Sequence, residues 1–102
     1  MEESRMSIAR IGSFTGIPGQ IDELKDFLFS IIPMIQTSPG CESVQLYQNQ
    51  EDPASFTMIE IWDSIESHRA SVKNIPPEKL AGIRPLLGAN PHGSYYDLVS
   101  AP

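Results

Sequence analysis

Residues 56–71 read FTMIEIWDSIESHRAS and decide the fold, because a strand pattern and a helix pattern meet within them. Side chains alternate along the first half, which places Glu60 and Trp62 on one face of a strand. Both faces of this strand are largely apolar, so we expect a central strand that is covered on both sides. The second half predicts a helix that either Asp63 or Ser64 caps.

Three further patterns precede this corner. Residues 6–14 alternate and predict a first strand. Residues 41–50 predict a second strand, which forms an antiparallel hairpin with a third predicted strand over residues 55–63. Between these strands, apolar residues recur at helical spacing over residues 21–35. Pro33 lies inside this helix pattern, and we expect the helix to kink or restart there because proline lacks a backbone N–H.

After the corner, the sequence predicts a broken connection and a last strand. Residues 74–93, NIPPEKLAGIRPLLGANPHG, are rich in proline and glycine and favour one short helix over 78–83. Residues 93–100 predict the last strand. The resulting β-α-β-β-α-(short α)-β order predicts a ferredoxin-like α+β fold, with helices on one face of a four-stranded antiparallel sheet. The other face needs cover, and we expect a second copy of the chain to supply it.

Composition excludes several classes of function. The 102 residues suit one domain over residues 1–102, and the polar residues 1–5 predict a flexible N-terminal tail. The formal net charge of -6 argues against a nucleic-acid partner and against a polybasic membrane-binding face. A single cysteine, the lack of a leader pattern and the lack of a long apolar run predict a soluble cytoplasmic protein that is not attached to a membrane.

The sequence also has no spacing that predicts a metal or cofactor site. Neither paired histidines nor a cysteine cluster is present, and the glycines at 16–20, GIPGQ, fit no phosphate-binding loop. We therefore predict no metal and no cofactor. Cys41 stands at the start of a predicted strand without a histidine nearby in the sequence, and we interpret it as a structural thiol.

Residues 39–68, PGCESVQLYQNQEDPASFTMIEIWDSIESH, resemble the central block of the antibiotic biosynthesis monooxygenase family. The shared features are residues 39–41, residues 46–48, the loop at 52–53, Phe56, Glu60, Trp62, Ser64 and Glu66. The resemblance implies a homodimer in which two sheets form an α+β barrel, with a pocket between the sheet and the helices of each subunit. It also implies a monooxygenase that oxidises an aromatic, anthrone- or quinol-like small molecule with O2 and without metal or flavin.

Such an oxidation needs an apolar slot, a base and donors that stabilise a developing oxyanion. We predict Trp62 and His68 as the catalytic residues. Trp62 would form the slot wall and donate its indole N–H, and His68 would act as the base, because imidazole titrates near neutral pH. The plainer alternatives are a core anchor for Trp62 and an ordinary helix histidine for His68.

Further side chains are predicted to bind the substrate: Arg10, Phe27, Tyr47, Met58 and Glu60. Glu60 shares a strand face with Trp62, and if that face is buried its carboxyl group must be paired or protonated. Arg10 could pair with Glu60 or orient an oxyanion, and a purely structural salt bridge is the alternative. For Tyr47 the alternative is packing on the sheet.

Other residues near the last strand, His92, Tyr95 and Tyr96, are assigned to the dimer seam or the surface. The family resemblance includes a haem-degrading branch with an asparagine on the first strand. Gly12 stands there in this chain, which counts against haem breakdown. The family also often has a histidine where this chain has Ser71. That difference favours the rival hypothesis of a non-catalytic small-molecule-binding or stress-related dimer.

Overall fold

The computed structural model describes residues 7–100, so the predicted tail at residues 1–5 lies outside the described part. Its elements are β1 Ile8–Thr15, α1 Ile21–Gln36, β2 Cys41–Gln48, β3 Ser55–Trp62, α2 Ile65–Val72, α3 Pro77–Ala81, a 3-10 turn at Arg84–Leu86 and β4 His92–Asp97. The four strands form one antiparallel sheet in the order β2-β3-β1-β4. This arrangement confirms the predicted ferredoxin-like α+β fold, the β2–β3 hairpin and the inner position of β3.

The core lies between one face of the sheet and α1. Residues of α1 that recur at helical spacing are buried: Leu24, Leu28, Ile31 and Ile35. They belong to one cluster with three apolar residues of β3, which are Phe56, Met58 and Trp62. Fully burying a side chain of this size stabilises the fold by about 1.5–3 kcal/mol.

Only one face of β3 is covered within the described chain. Every second residue of β3 is buried, whereas the intervening residues, such as Ile59 and Ile61, are only half-buried. The expected cover on both sides is therefore absent from the single chain, because all the helices pack on the same face. Ile59 lies opposite Ile11 of β1, so the outer face of the sheet is apolar at its centre.

On the covered face of the sheet, side chains that lie side by side on neighbouring strands form rows. Along β1 these rows change from aromatic to polar. Phe14 lies opposite Phe56, and two positions away Gly12 lies opposite Gly93 of β4. The next row contains Arg10, whose neighbours on β3 and β4 are Glu60 and Tyr95. Directly opposite residues point to the same face of a sheet. Met58 of β3 completes the row of Gly12 and Gly93, so the two glycines leave a space on β1 and β4 between an aromatic row and a polar row.

Pro33 does not interrupt α1, which runs continuously over Ile21–Gln36. The predicted restart of the helix at this position was wrong. Pro33 and Phe29 both lie on the exposed side of α1, so the carbonyl group of Phe29 that loses its partner remains open to water. Only the last turn follows Pro33, and the Thr37 hydroxyl donates a hydrogen bond to the Pro33 carbonyl at 2.9 Å.

The corner between β3 and α2 is capped by Ser64. Its hydroxyl oxygen accepts a hydrogen bond from the backbone N–H of Ser67 at 3.1 Å, which decides between the two predicted caps. Asp63 has a different role, because its carboxylate accepts from the Ser67 hydroxyl at 2.6 Å. The backbone N–H of Asp63 donates to the Gly40 carbonyl at 2.9 Å, which attaches the start of β2 to this corner.

Two elements after the corner are shorter than predicted. The short helix covers Pro77–Ala81 rather than 78–83, since proline suits the first helical turn and Gly82 follows the last helical residue. β4 ends at Asp97 rather than at residue 100, because Asp97 lies opposite Ile8, the first residue of the neighbouring strand β1. Beyond this point the side chain of Val99 is 94% exposed.

Candidate active site

A cavity of about 400 Å³ lies between the covered face of the sheet and the helices. Its lining on the sheet consists of Arg10, Gly12, Phe14, Met58, Glu60, His92 and Gly93. The helices contribute Phe27, Ile31, Ile35, His68, Ser71 and Val72. This volume lies within the range of roughly 300–1,000 Å³ that is usual for small-molecule sites. The lining is apolar near Phe14 and polar near Arg10.

His68 is the buried base candidate at the polar end. The Ser64 cap starts α2 one turn earlier and thereby directs the imidazole of His68 toward the sheet. Its Nδ1 atom lies 2.7 Å from the hydroxyl oxygen of Tyr95, and its ring packs edge-to-face on Trp62 with 5.5 Å between centroids. Burial, and then the positive charges of Arg10 and Arg69, lower the pKa of His68 below its ordinary value. His68 is therefore neutral at neutral pH.

Glu60 is a second buried titratable group at the same end. The indole N–H of Trp62 donates a hydrogen bond to Glu60 Oε1 at 2.9 Å. Burial raises the pKa of Glu60, and the Trp62 hydrogen bond and the positive charge of Arg10 only partly offset this effect. No direct ion pair joins Arg10 to Glu60 among residues 7–100, so the arginine acts on the carboxyl group through space.

Arg10 is held in place by β4. Its guanidinium carbon lies 4.8 Å from the centroid of the Tyr95 ring, which is a favourable cation–π distance. The guanidinium group also occupies the space above Gly93, where any Cβ atom would overlap it. Glycine at position 93 therefore lets Arg10 lie flat across β4 at the edge of the cavity.

The sequence profile described as "Antibiotic biosynthesis monooxygenase" matches residues 7–78, which is most of the chain. This protein belongs to the antibiotic biosynthesis monooxygenase family. A Chloroflexus aurantiacus protein, named as a candidate member of these monooxygenases, is 32% identical, with 94% of this chain and 96% of that chain covered and a TM-score of 0.74. No curated protein sequence matches the chain.

More distant structures share the fold. A candidate antibiotic biosynthesis monooxygenase from Nitrosomonas europaea is 13% identical, covers 97% of this chain and 96% of its own, and has a TM-score of 0.82. SnoaB from Streptomyces nogalater, named a cofactor-independent oxygenase, is 14% identical, covers 93% of this chain and 95% of its own, and has a TM-score of 0.80. At these identities the likeness concerns the fold alone.

Most of the residues that the sequence predicted for the site come together in this family member. The side chains of Arg10, Phe27, Met58, Glu60 and His68 all line the cavity. Trp62 does not line it: this side chain is fully buried and lies behind Glu60 and His68.

Tyr47 was predicted to bind the substrate, but its side chain does not line the cavity. It lies on the outer face of the sheet, is 51% exposed, and donates a hydrogen bond to the side-chain oxygen of Gln45 at 3.2 Å. The alternation of β2 explains the difference, because Leu46 points to the core and Tyr47 therefore points away from it.

Sequence reasoning missed several residues at or next to the cavity, among them Tyr95, Ser71 and His92. Tyr95 was assigned to the dimer seam or the surface, yet its hydroxyl group contacts His68. The pairing of β4 with β1 places Tyr95 opposite Arg10. The sequence of β4 alone does not determine this register, so the contact could not be predicted. Ser71 also lines the cavity, and its hydroxyl group donates to the His68 carbonyl at 2.6 Å.

Residues 7–100 contain no cluster of three or more histidine, cysteine, aspartate or glutamate side chains that could hold a metal ion. Across the same described residues, no helix has the length and apolar character that a membrane crossing requires. Cys41 is not at the cavity, and burial raises the pKa of its thiol, which disfavours the reactive thiolate.

Proposed function

We propose that this protein is a cofactor-independent monooxygenase that oxidises an aromatic, anthrone- or quinol-like small molecule with O2. The observation that carries the proposal is the apolar cavity of about 400 Å³ whose polar end is formed by Arg10, Glu60 and His68. Membership of the antibiotic biosynthesis monooxygenase family supports the reaction class. The relative SnoaB, which shares the fold, is named as a cofactor-independent oxygenase.

In this proposal the substrate ring lies against Phe14, Phe27 and Met58, which exclude water. Neutral His68 takes the acidic proton of the substrate, and Arg10 stabilises the negative charge that results. The electron-rich anion then reduces O2. When the reacting group is the methylene of an anthrone, one oxygen atom forms the product carbonyl, and the other leaves as water together with both methylene hydrogen atoms.

Trp62 acts through its neighbours in this account. Its indole N–H fixes the carboxyl group of Glu60 at the cavity wall, and its ring supports the imidazole of His68. Burial raises the pKa of Glu60 and so favours the protonated carboxyl group, which can donate a hydrogen bond. Glu60 would bind a hydroxyl group of the substrate.

The proposal includes a homodimer and a cytoplasmic location. The outer face of the sheet is apolar at Ile11, Ile59 and Ile61, and none of these residues is fully exposed or fully buried. A second copy of the chain would bury them, as expected for the family resemblance. The presence of a single cysteine supports a reducing compartment.

The alternative is a non-catalytic small-molecule-binding dimer on the same fold. Two observations favour it: Trp62 has no direct access to the cavity, and Ser71 offers no second base there. A binding protein needs the apolar cavity but does not need His68 or Glu60 to exchange protons.

Oxygen uptake by the purified, metal-free protein tests the two functions against each other. A panel of anthrones and hydroquinones would be used, with His68→Ala as the variant and Asp26→Ala, on the exposed side of α1, as the control. We expect uptake above the uncatalysed rate in the wild type and the control, and a loss of about 100-fold or more in His68→Ala. Binding without uptake would favour the alternative.

A further inference from the structure

We propose that Tyr95 is a positioning residue, whose hydroxyl oxygen accepts a hydrogen bond from Nδ1–H of His68 and so leaves Nε2 free to take a proton from a ligand in the cavity. The inference rests on the proposed function for the role of His68 as a base. The claim about the position of the proton on the imidazole is independent of any reaction.

Two sets of contacts fix the position of Tyr95 next to His68. The backbone of β4 pairs with β1 so that Tyr95 lies opposite Arg10, whose guanidinium group covers the phenol ring. The ring of Tyr95 meets the imidazole edge-to-face, with 5.3 Å between centroids, and the hydroxyl oxygen is 2.7 Å from Nδ1. The contact joins residues that are 27 positions apart, so it depends on the fold rather than on local sequence.

The pairing at Nδ1 decides which nitrogen of His68 can act as a base. A neutral imidazole carries one proton, and the partner of one nitrogen determines the state of the other. Neutral histidine in water prefers the proton on Nε2, so a base at Nε2 requires a partner that holds the proton on Nδ1. Among residues 7–100 the only hydrogen-bond partner of the His68 ring is the Tyr95 hydroxyl group. A hydroxyl group can accept from Nδ1–H or donate to Nδ1, and the proposal assigns it the accepting role.

The charges around His68 explain why a phenol suits this role. Arg10 of β1 and Arg69 of α2 both disfavour the imidazolium, and burial acts in the same direction. Glu60 of β3 and His92 of β4 also border the cavity. A carboxylate at Nδ1 would raise the pKa of His68 and so reduce the fraction of neutral imidazole at neutral pH. The uncharged hydroxyl group of Tyr95 orients the ring without this effect.

Nitrogen NMR of the imidazole groups tests the proposal directly. The chain has only two histidines, so ¹⁵N labelling of histidine gives two ring systems, and exposed His92 serves as the internal reference. Above the pH at which His68 titrates, we expect its proton on Nδ1 in the wild type and in Tyr96→Phe. In Tyr95→Phe we expect the proton on Nε2 instead, with His92 unchanged. A wild-type His68 that carries its proton on Nε2 would overturn the proposal.

Kinetics provide a second readout that a merely structural residue would not give. With an active substrate, Tyr95→Phe should lower kcat by about tenfold while KM changes little, because the variant loses the reactive tautomer and not the cavity. An equal kcat in Tyr95→Phe would also overturn the proposal. If no substrate is oxidised but the NMR result holds, the proposed function fails and the positioning by Tyr95 stands.

Discussion

Glu60 and His68 are buried titratable side chains on facing elements, and burial changes their pKa values in opposite directions. The pKa of the carboxyl group rises and that of the imidazole falls, because each environment disfavours the charged form. Burial therefore favours the protonated carboxyl group of Glu60 and the neutral imidazole of His68. Paired groups of this kind are frequent in sites that transfer protons, although structural networks produce them too.

Glu60 should make the folded protein less stable as the pH rises. Between the unfolded pKa, about 4.3, and the raised folded pKa, the folded state binds more protons than the unfolded state, so the free energy of unfolding falls with increasing pH. Glu60→Gln removes this dependence. Urea denaturation from pH 4 to pH 8 should show the wild type losing stability relative to the variant, and parallel curves would contradict the assignment.

Trp62→Phe should reduce stability and change the neighbouring carboxyl group. The substitution removes buried volume and the hydrogen bond to Glu60, at a cost of about 2 kcal/mol. Because the Trp62 hydrogen bond lowers the pKa of Glu60, that pKa should rise further, which ¹³C NMR of the carboxyl group can follow. The exposed Tyr96→Phe serves as the control, with an expected change within about 0.5 kcal/mol. A stable variant with an unchanged Glu60 pKa would refute this role.

At the scale of elements, the corner between β3 and α2 depends on Gly40. This residue has a φ of 90°, and a Cβ atom there would overlap the hydroxyl of Ser67 and the carboxylate of Asp63. Any side chain at this position must therefore disturb the cap that directs His68 toward the sheet.

The loop glycines allow a matched test of this dependence. Gly40→Ala should destabilise the fold by about 3 kcal/mol, from backbone strain and from the overlap with Ser67. Gly19→Ala is the control, because Gly19 has a similar φ of 89° but its Cβ atom would meet nothing within 4 Å. We expect about 1 kcal/mol for the control in urea denaturation. An equal loss of stability in both variants would show that the overlap with Ser67 and Asp63 does not affect stability.

The main helices and strands could be predicted from local sequence patterns. The alternation in β3 and the helical spacing in α1 are strong signals, and the fold follows from their order. The continuity of α1 through Pro33 was not predictable, since it depends on which side of the helix faces water. The role of Tyr95 was missed for a similar reason: it follows from the register between β1 and β4, which involves residues far apart in the sequence.

At the scale of the whole molecule, the outer face of the sheet supports the proposed homodimer. We expect light scattering at micromolar concentration to give twice the mass of one chain. Ile61→Lys should give a monomer, because Ile61 lies on this face of the inner strand β3, opposite Ala9, and a buried ammonium group is costly. Glu78→Lys, which makes a larger charge change on exposed α3, should remain a dimer. A monomeric wild type would refute the dimer.

The central claim is that the cavity beside His68 uses O2 to oxidise its ligand, and ¹⁸O2 labelling tests it most directly. The metal-free protein would be incubated with an anthrone under ¹⁸O2, and the product analysed by mass spectrometry, with His68→Ala beside it. We expect one ¹⁸O atom in the product carbonyl, formed faster than without protein, and loss of this acceleration in the variant. Product formation that is no faster than the uncatalysed reaction, or equally fast in both proteins, would contradict it.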